Sequence, residues 1–152
     1  MRVFISYSFQ DEELYLLSLL IDKLQGQGHQ IRTTDFILEN NRFHLNSSDL
    51  FIGIVTNYSD DISDVLDDWE YAKKLNKKTI LLIEEGVQVN DKTISFIRFN
   101  RNKPEVAINQ LLGTKTKNQI KKNSDLEDGL IIGGIIIGIA ALISLLAGTD
   151  KK

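Results

Sequence analysis

The chain has 152 residues, 42% hydrophobic and 26% charged, with a formal net charge of −3. That is enough for one domain and an appendage. It has no cysteine and two histidines, His29 and His44, which excludes disulfides and Cys- or His-rich zinc sites. Residues 1–113 carry 12 Lys/Arg against 17 Asp/Glu, whereas residues 114–152 carry 6 against 4. An acidic domain of this kind is a poor candidate for binding nucleic acid, and no nucleic-acid partner is expected.

Met1 runs straight into Arg2-Val-Phe-Ile-Ser-Tyr7, a β-rich apolar run that predicts a first strand without a leader. Ser8 and Asp11 have the spacing of a capping box. Leu14, Leu17, Leu20, Ile21 and Leu24 continue as a helix that Gly26 and Gly28 end. Gln30 to Thr34 predicts a second strand closing at Asp35. Residues 36–48 are polar and predict a loop with room for one helical turn.

Asp49 to Thr56 is an unbroken apolar run, the mark of a central parallel strand covered on both faces. Ile62, Val65, Leu66, Trp69 and Ala72 predict the helix that follows. Lys78 to Ile83 is a fourth strand and Thr93 to Phe99 a weaker fifth. Pro104 opens a last helix with Val106, Ile108, Leu111 and Leu112. Strands alternating with helices predict an α/β domain over 1–113, a flavodoxin-like, doubly wound, five-stranded parallel sheet.

Residues 114–128 are Lys/Asn/Thr-rich and predict a flexible linker. Residues 129–148 are free of charge. Twenty residues at about 1.5 Å each match a hydrocarbon core of roughly 30 Å, so Leu130 to Ala147 predicts a transmembrane helix. A short tail, 149–152, follows. The expected arrangement is a single-pass membrane protein with its domain in the cytoplasm. Gly134, Gly138 and Ala141 share one face, and such spacing allows close helix pairing.

Ligands of open α/β sheets bind beyond the carboxyl ends of the strands. Those ends present Tyr7, Ser8 and Phe9, then Asp35, then Asn57 and Tyr58, and the next helix adds Trp69 and Glu70. Each has a plainer reading. Ser8 and Asp35 also suit caps, Trp69 suits the core, and Glu70 suits a solvated surface. The acidic run of Asp60, Asp61, Asp64, Asp67 and Asp68 reads as favourable charge at a helix N-terminus rather than as a metal site. Arg42 in the loop is a candidate phosphate contact.

Phe4-Ile-Ser-Tyr-Ser8 with Asp11, the strand ending at Thr56-Asn-Tyr58, and Val65-Leu-Asp-Asp-Trp-Glu-Tyr-Ala72 before Leu75-Asn-Lys-Lys-Thr-Ile-Leu-Leu82 together resemble a Toll/interleukin-1 receptor (TIR) domain. The resemblance spans about residues 2–112. It implies cleavage of NAD as substrate, without a cofactor, with Glu70 as the catalytic carboxylate and Tyr7, Ser8, Phe9, Asp35 and Trp69 around the nucleotide. It also implies self-association and a role in bacterial defence against phage, with other defence proteins as partners. Two further readings stay open: a non-catalytic adaptor that recruits other TIR domains, and an enzyme similar to nucleoside deoxyribosyltransferases.

Overall fold

The computed structural model describes residues 1–11, 14–35, 41–58, 62–90, 94 and 96–113. Within them the chain runs β1 (Arg2–Ser6), a 3-10 turn (Phe9–Asp11), α1 (Tyr15–Gly26), β2 (Gln30–Thr33), α2 (Asn41–Asn46), β3 (Leu50–Val55), α3 (Ser63–Lys74), β4 (Lys78–Glu84), β5 (Phe96–Phe99) and α4 (Pro104–Leu111). All four strand pairings are parallel, and the spatial order is β2-β1-β3-β4-β5. This is the flavodoxin-like order, in which the direction of winding reverses between β1 and β3. The predicted linker and transmembrane helix lie outside the described residues. Among the described residues no helix is long and apolar enough to cross a membrane.

β3 is buried at all six positions, as its unbroken apolar run requires. Its even-numbered residues Leu50, Ile52 and Ile54 join Val3, Ile5, Leu82 and Phe99 beneath α1 and α4. Its odd-numbered residues Phe51 and Val55 join Phe4, Leu81 and Ile83 beneath α2 and α3. Each fully buried large apolar side chain contributes about 1.5–3 kcal/mol, so this double-sided strand is the centre of stability.

The start of α1 differs from the sequence expectation. The Ser8 hydroxyl turns to the Gln10 side chain, and the Ser8 carbonyl accepts the Asp11 N–H within the 3-10 turn. α1 begins only after Leu14, which makes no side-chain cap. Ser8 therefore serves a tight local turn and not the N-terminus of α1. The other end of α1 follows the glycines. Gly28 takes a φ of 83°, the Gly28 N–H reaches Gln25, and the His29 N–H reaches Leu24. This is the Schellman pattern, in which the left-handed position favours glycine.

Candidate functional site

The reversal point between β1 and β3 is where an open parallel sheet offers a crevice. Ser6, the last residue of β1, pairs in register with Gly53 of β3. Gly53 has no room for a side chain. A Cβ there would lie 2.5 Å from Leu81 Cδ2, 3.0 Å from Val65 Cγ1 and 3.1 Å from Phe51 Cε1. The missing side chain lets α3 settle close to the sheet through Val65. One turn further along α3, Asp68 meets the strand end, where the Ser6 hydroxyl donates to Asp68 Oδ2 at 2.8 Å.

Asp68 is half-buried. Burial pushes its carboxyl above the ordinary aspartate value. Asp64 and Asp67 add to this, while the Ser6 hydrogen bond and the charge of Arg42 oppose it. Arg42 itself extends from α2 over the Tyr71 ring, 5.0 Å from its centroid. A desolvated carboxylate, a hydroxyl that orients it and a neighbouring guanidinium thus share one end of the sheet. Such a carboxylate can accept sugar hydroxyls and stabilise a cation that develops beside it.

The expected site residues are placed as follows. Glu70 is exposed on α3. Residues two apart on a helix do not share a face, so Glu70 lies on a different face of α3 from Asp68. Trp69 is 8% exposed and packs in the α3 core, with Lys73 Nζ 4.3 Å above its ring. Tyr7 is buried under α1, and its N–H donates to Thr34 Oγ1 at 3.2 Å. Ser8 is half-buried at the strand end. Phe9 belongs to the 3-10 turn, and its side chain lies outside the described residues. Asp35 is half-buried after β2, where its N–H donates to Asn41 Oδ1 at 2.8 Å. Ser8 and Asp35 are thus half-buried just after β1 and β2, while Tyr7 and Trp69 belong to the cores on opposite faces of the sheet.

The acidic run concealed Asp68 in the sequence. The signal was positional: Asp68 stands three residues after Val65 and four before Ala72, both buried. It therefore belongs to the sheet-facing stripe of α3.

A second polar network occupies the strand ends on the α1 side. The Thr56 hydroxyl donates to Asp11 Oδ1 at 2.7 Å, with both residues buried. Glu84 ends β4 and receives Arg101 Nε at 2.8 Å, Arg101 Nη2 at 3.0 Å and the Asn57 N–H at 2.9 Å. Burial alone would raise the Glu84 carboxyl, but these hydrogen bonds and the Arg101 charge hold it below the ordinary value. The Arg101 guanidinium also lies 4.6 Å from the centroid of the exposed Tyr58 ring. This network fixes the turn between β3 and α3.

No family model and no curated protein matches this sequence. Solved structures do match its fold. The CMP N-glycosidase BcmB of Clostridium botulinum superposes with a TM-score of 0.53 at 20% identity, over 70% of this chain and 96% of that one. Smu.1420 of Streptococcus mutans gives 0.45 at 10% identity, over 72% and 96%. A response regulator receiver domain protein of Bacillus halodurans gives 0.42 at 17% identity, over 77% and 98%. The class is a flavodoxin-like α/β domain with a carboxylate at its winding reversal.

Proposed function

We propose that the domain is a nucleotide N-glycosidase in which Asp68 stabilises the cation formed at the sugar, and that NAD is its substrate. The observation that carries this reading is the Ser6–Asp68 hydrogen bond of 2.8 Å at the reversal point. In the reaction the C1′–N bond breaks and the base leaves with the electron pair. Water then adds its hydroxyl to C1′ and releases its proton. The sugar passes through an oxocarbenium-like state, as in glycoside hydrolysis. A carboxylate fixed beside C1′ stabilises that state, and nicotinamide leaves as a neutral molecule without a strong general acid.

Two further observations support the reading. The C. botulinum neighbour of the same fold is described as an N-glycosidase acting on CMP. The resemblance of the strand ends and of α3 to TIR domains points to NAD. In this reading Asp68, half-buried and hydrogen-bonded to the end of β1, takes the role first expected of Glu70, which is exposed. Membrane attachment through Leu130 to Ala147, self-association and a role in phage defence belong to the same proposal. The charge-free run and the spacing of Gly134 and Gly138 support the first two.

The test is hydrolysis of NAD and of CMP by the full-length chain in lipid vesicles. Asp68→Asn should lose at least about a hundredfold in rate, the scale for removing one electrostatic stabiliser. Glu70→Gln should retain the wild-type rate. Loss in Glu70→Gln with retention in Asp68→Asn would return the catalytic role to Glu70. Wild-type protein that cleaves neither nucleotide would favour the adaptor reading.

A further inference from the structure

The opposite end of the sheet carries a feature that the proposed reaction does not use. A cavity of 430 Å³ opens near the amino-terminal ends of β1 and β2, between β2 and α2. α2 has only six residues, too few to cover the outer strand, and Gln30 and Arg32 of β2 remain exposed. The lining includes Arg2, Arg32, His29, His44, Phe43 and Ser47. In a domain with an acidic excess this is a local reversal of charge.

Among the described residues, no carboxylate lines the groove. The nearby Asp49 is engaged by Arg2, through the backbone N–H at 2.8 Å and the guanidinium at 3.1 Å. Arg32 has no ion pair among the described residues. The turn that ends α1 delivers His29 to the wall. There its Nε2 is screened from solvent and has no hydrogen-bond partner among the described residues. A buried polar atom without a hydrogen-bond partner is unfavourable, so this wall favours a ligand that brings a polar atom to it. Phe43 is 65% exposed and stands edge-on to His44, with ring centroids 5.6 Å apart. One part of the groove thus offers guanidinium and imidazole donors, and another offers an aromatic face.

We infer that this groove is a second binding site, for a phosphate-bearing ligand of mononucleotide size. Guanidinium groups match phosphate oxygens in geometry and charge. An exposed aromatic ring such as Phe43 offers a face on which a base stacks. The volume falls within the usual range for small-molecule sites, about 300–1,000 Å³. Neither Ser6 nor Asp68 lines the groove, so its occupancy should not require Asp68. Burial and the nearby N-terminal amine hold the His29 imidazole below its ordinary value. A bound phosphate acts in the opposite direction and supplies the partner that Nε2 lacks.

Both histidines of the chain line the groove, so their imidazole resonances report from this place alone. The experiment titrates AMP into histidine-labelled, full-length protein in detergent micelles. Both sets of resonances should move, half-saturating at or below about 1 mM. Inorganic phosphate should require at least tenfold more, and adenosine should move neither set. Arg32→Glu should weaken the AMP response at least tenfold, with circular dichroism unchanged. Phe43→Ala should weaken AMP but not inorganic phosphate, and Asp68→Asn should respond as wild type. The inference is overturned by no response up to about 10 mM AMP. It is equally overturned by adenosine matching AMP, or by an unchanged response in a folded Arg32→Glu or Phe43→Ala protein.

Discussion

Ser6 Oγ and Asp68 Oδ2, from residues 62 positions apart in the chain, lie 2.8 Å from each other where the winding of the sheet reverses. β1 and α3 meet there because Gly53, in register with Ser6, leaves the helix room to approach. The hydroxyl donates to the carboxylate, so it favours the ionised form against the burial that disfavours it.

That balance predicts the effect of Ser6→Ala. The proposed reaction needs Asp68 ionised, so its rate should fall on the acid side as the carboxyl takes up its proton. Removing the Ser6 hydrogen bond removes an influence that lowers the Asp68 pKa, and the pKa rises further. The acid limb of the pH–rate profile should move to higher pH, with activity recovering at alkaline pH. Ser6→Thr keeps the hydroxyl and should restore the wild-type limb if its extra methyl is accommodated. A profile unchanged in Ser6→Ala would remove the hydroxyl from the mechanism.

Gly53→Ala should act on both stability and rate. Its Cβ would press on Leu81, Val65 and Phe51. Inserting a methyl group into a packed core of this kind costs typically 1–3 kcal/mol. α3 must shift outward, which lengthens the Ser6–Asp68 contact. Thermal unfolding should move down by several degrees, and the surviving folded protein should be slow at saturating substrate. A variant as stable and as fast as wild type would contradict the close approach.

The Glu84–Arg101 pair predicts a pH dependence of stability. Glu84 is depressed in the folded state, so the unfolded chain binds its proton at higher pH than the native one. The stabilisation is present above the ordinary glutamate value and is lost as the pH falls through the depressed folded value. Arg101→Met leaves the buried Glu84 with fewer donors, and the domain should lose about 1–3 kcal/mol at neutral pH. Denaturant titration of the two proteins across the acid range should show the gap narrowing as the pH falls.

The sheet was legible in the sequence because its chemistry is redundant. β3 is apolar at every position, and helices alternate with strands from β1 through β4. The fifth strand is shorter than expected, Phe96–Phe99 rather than Thr93 to Phe99, with residues 93 and 95 outside the described set. The start of α1 was less legible, because Ser8 has two local partners to choose between. The carboxylate was hidden by company. Asp64, Asp67, Asp68 and Glu70 are equivalent in composition, and only the rotation of α3 about its axis separates the one that meets Ser6. The groove between β2 and α2 was not legible at all. It depends on α2 being too short to cover the strand beside it, and His29 and His44 are far apart in the chain.

Trp69 stands directly after Asp68 and is the only tryptophan in the chain. Its ring is buried against the underside of α3 with the Lys73 ammonium 4.3 Å from its centre. The intrinsic fluorescence of the protein is therefore a single-residue signal from the helix that carries the carboxylate. A nearby cation and a titrating neighbour both alter the emission of an indole. The molecule thus contains its own optical gauge of α3, readable without any added label.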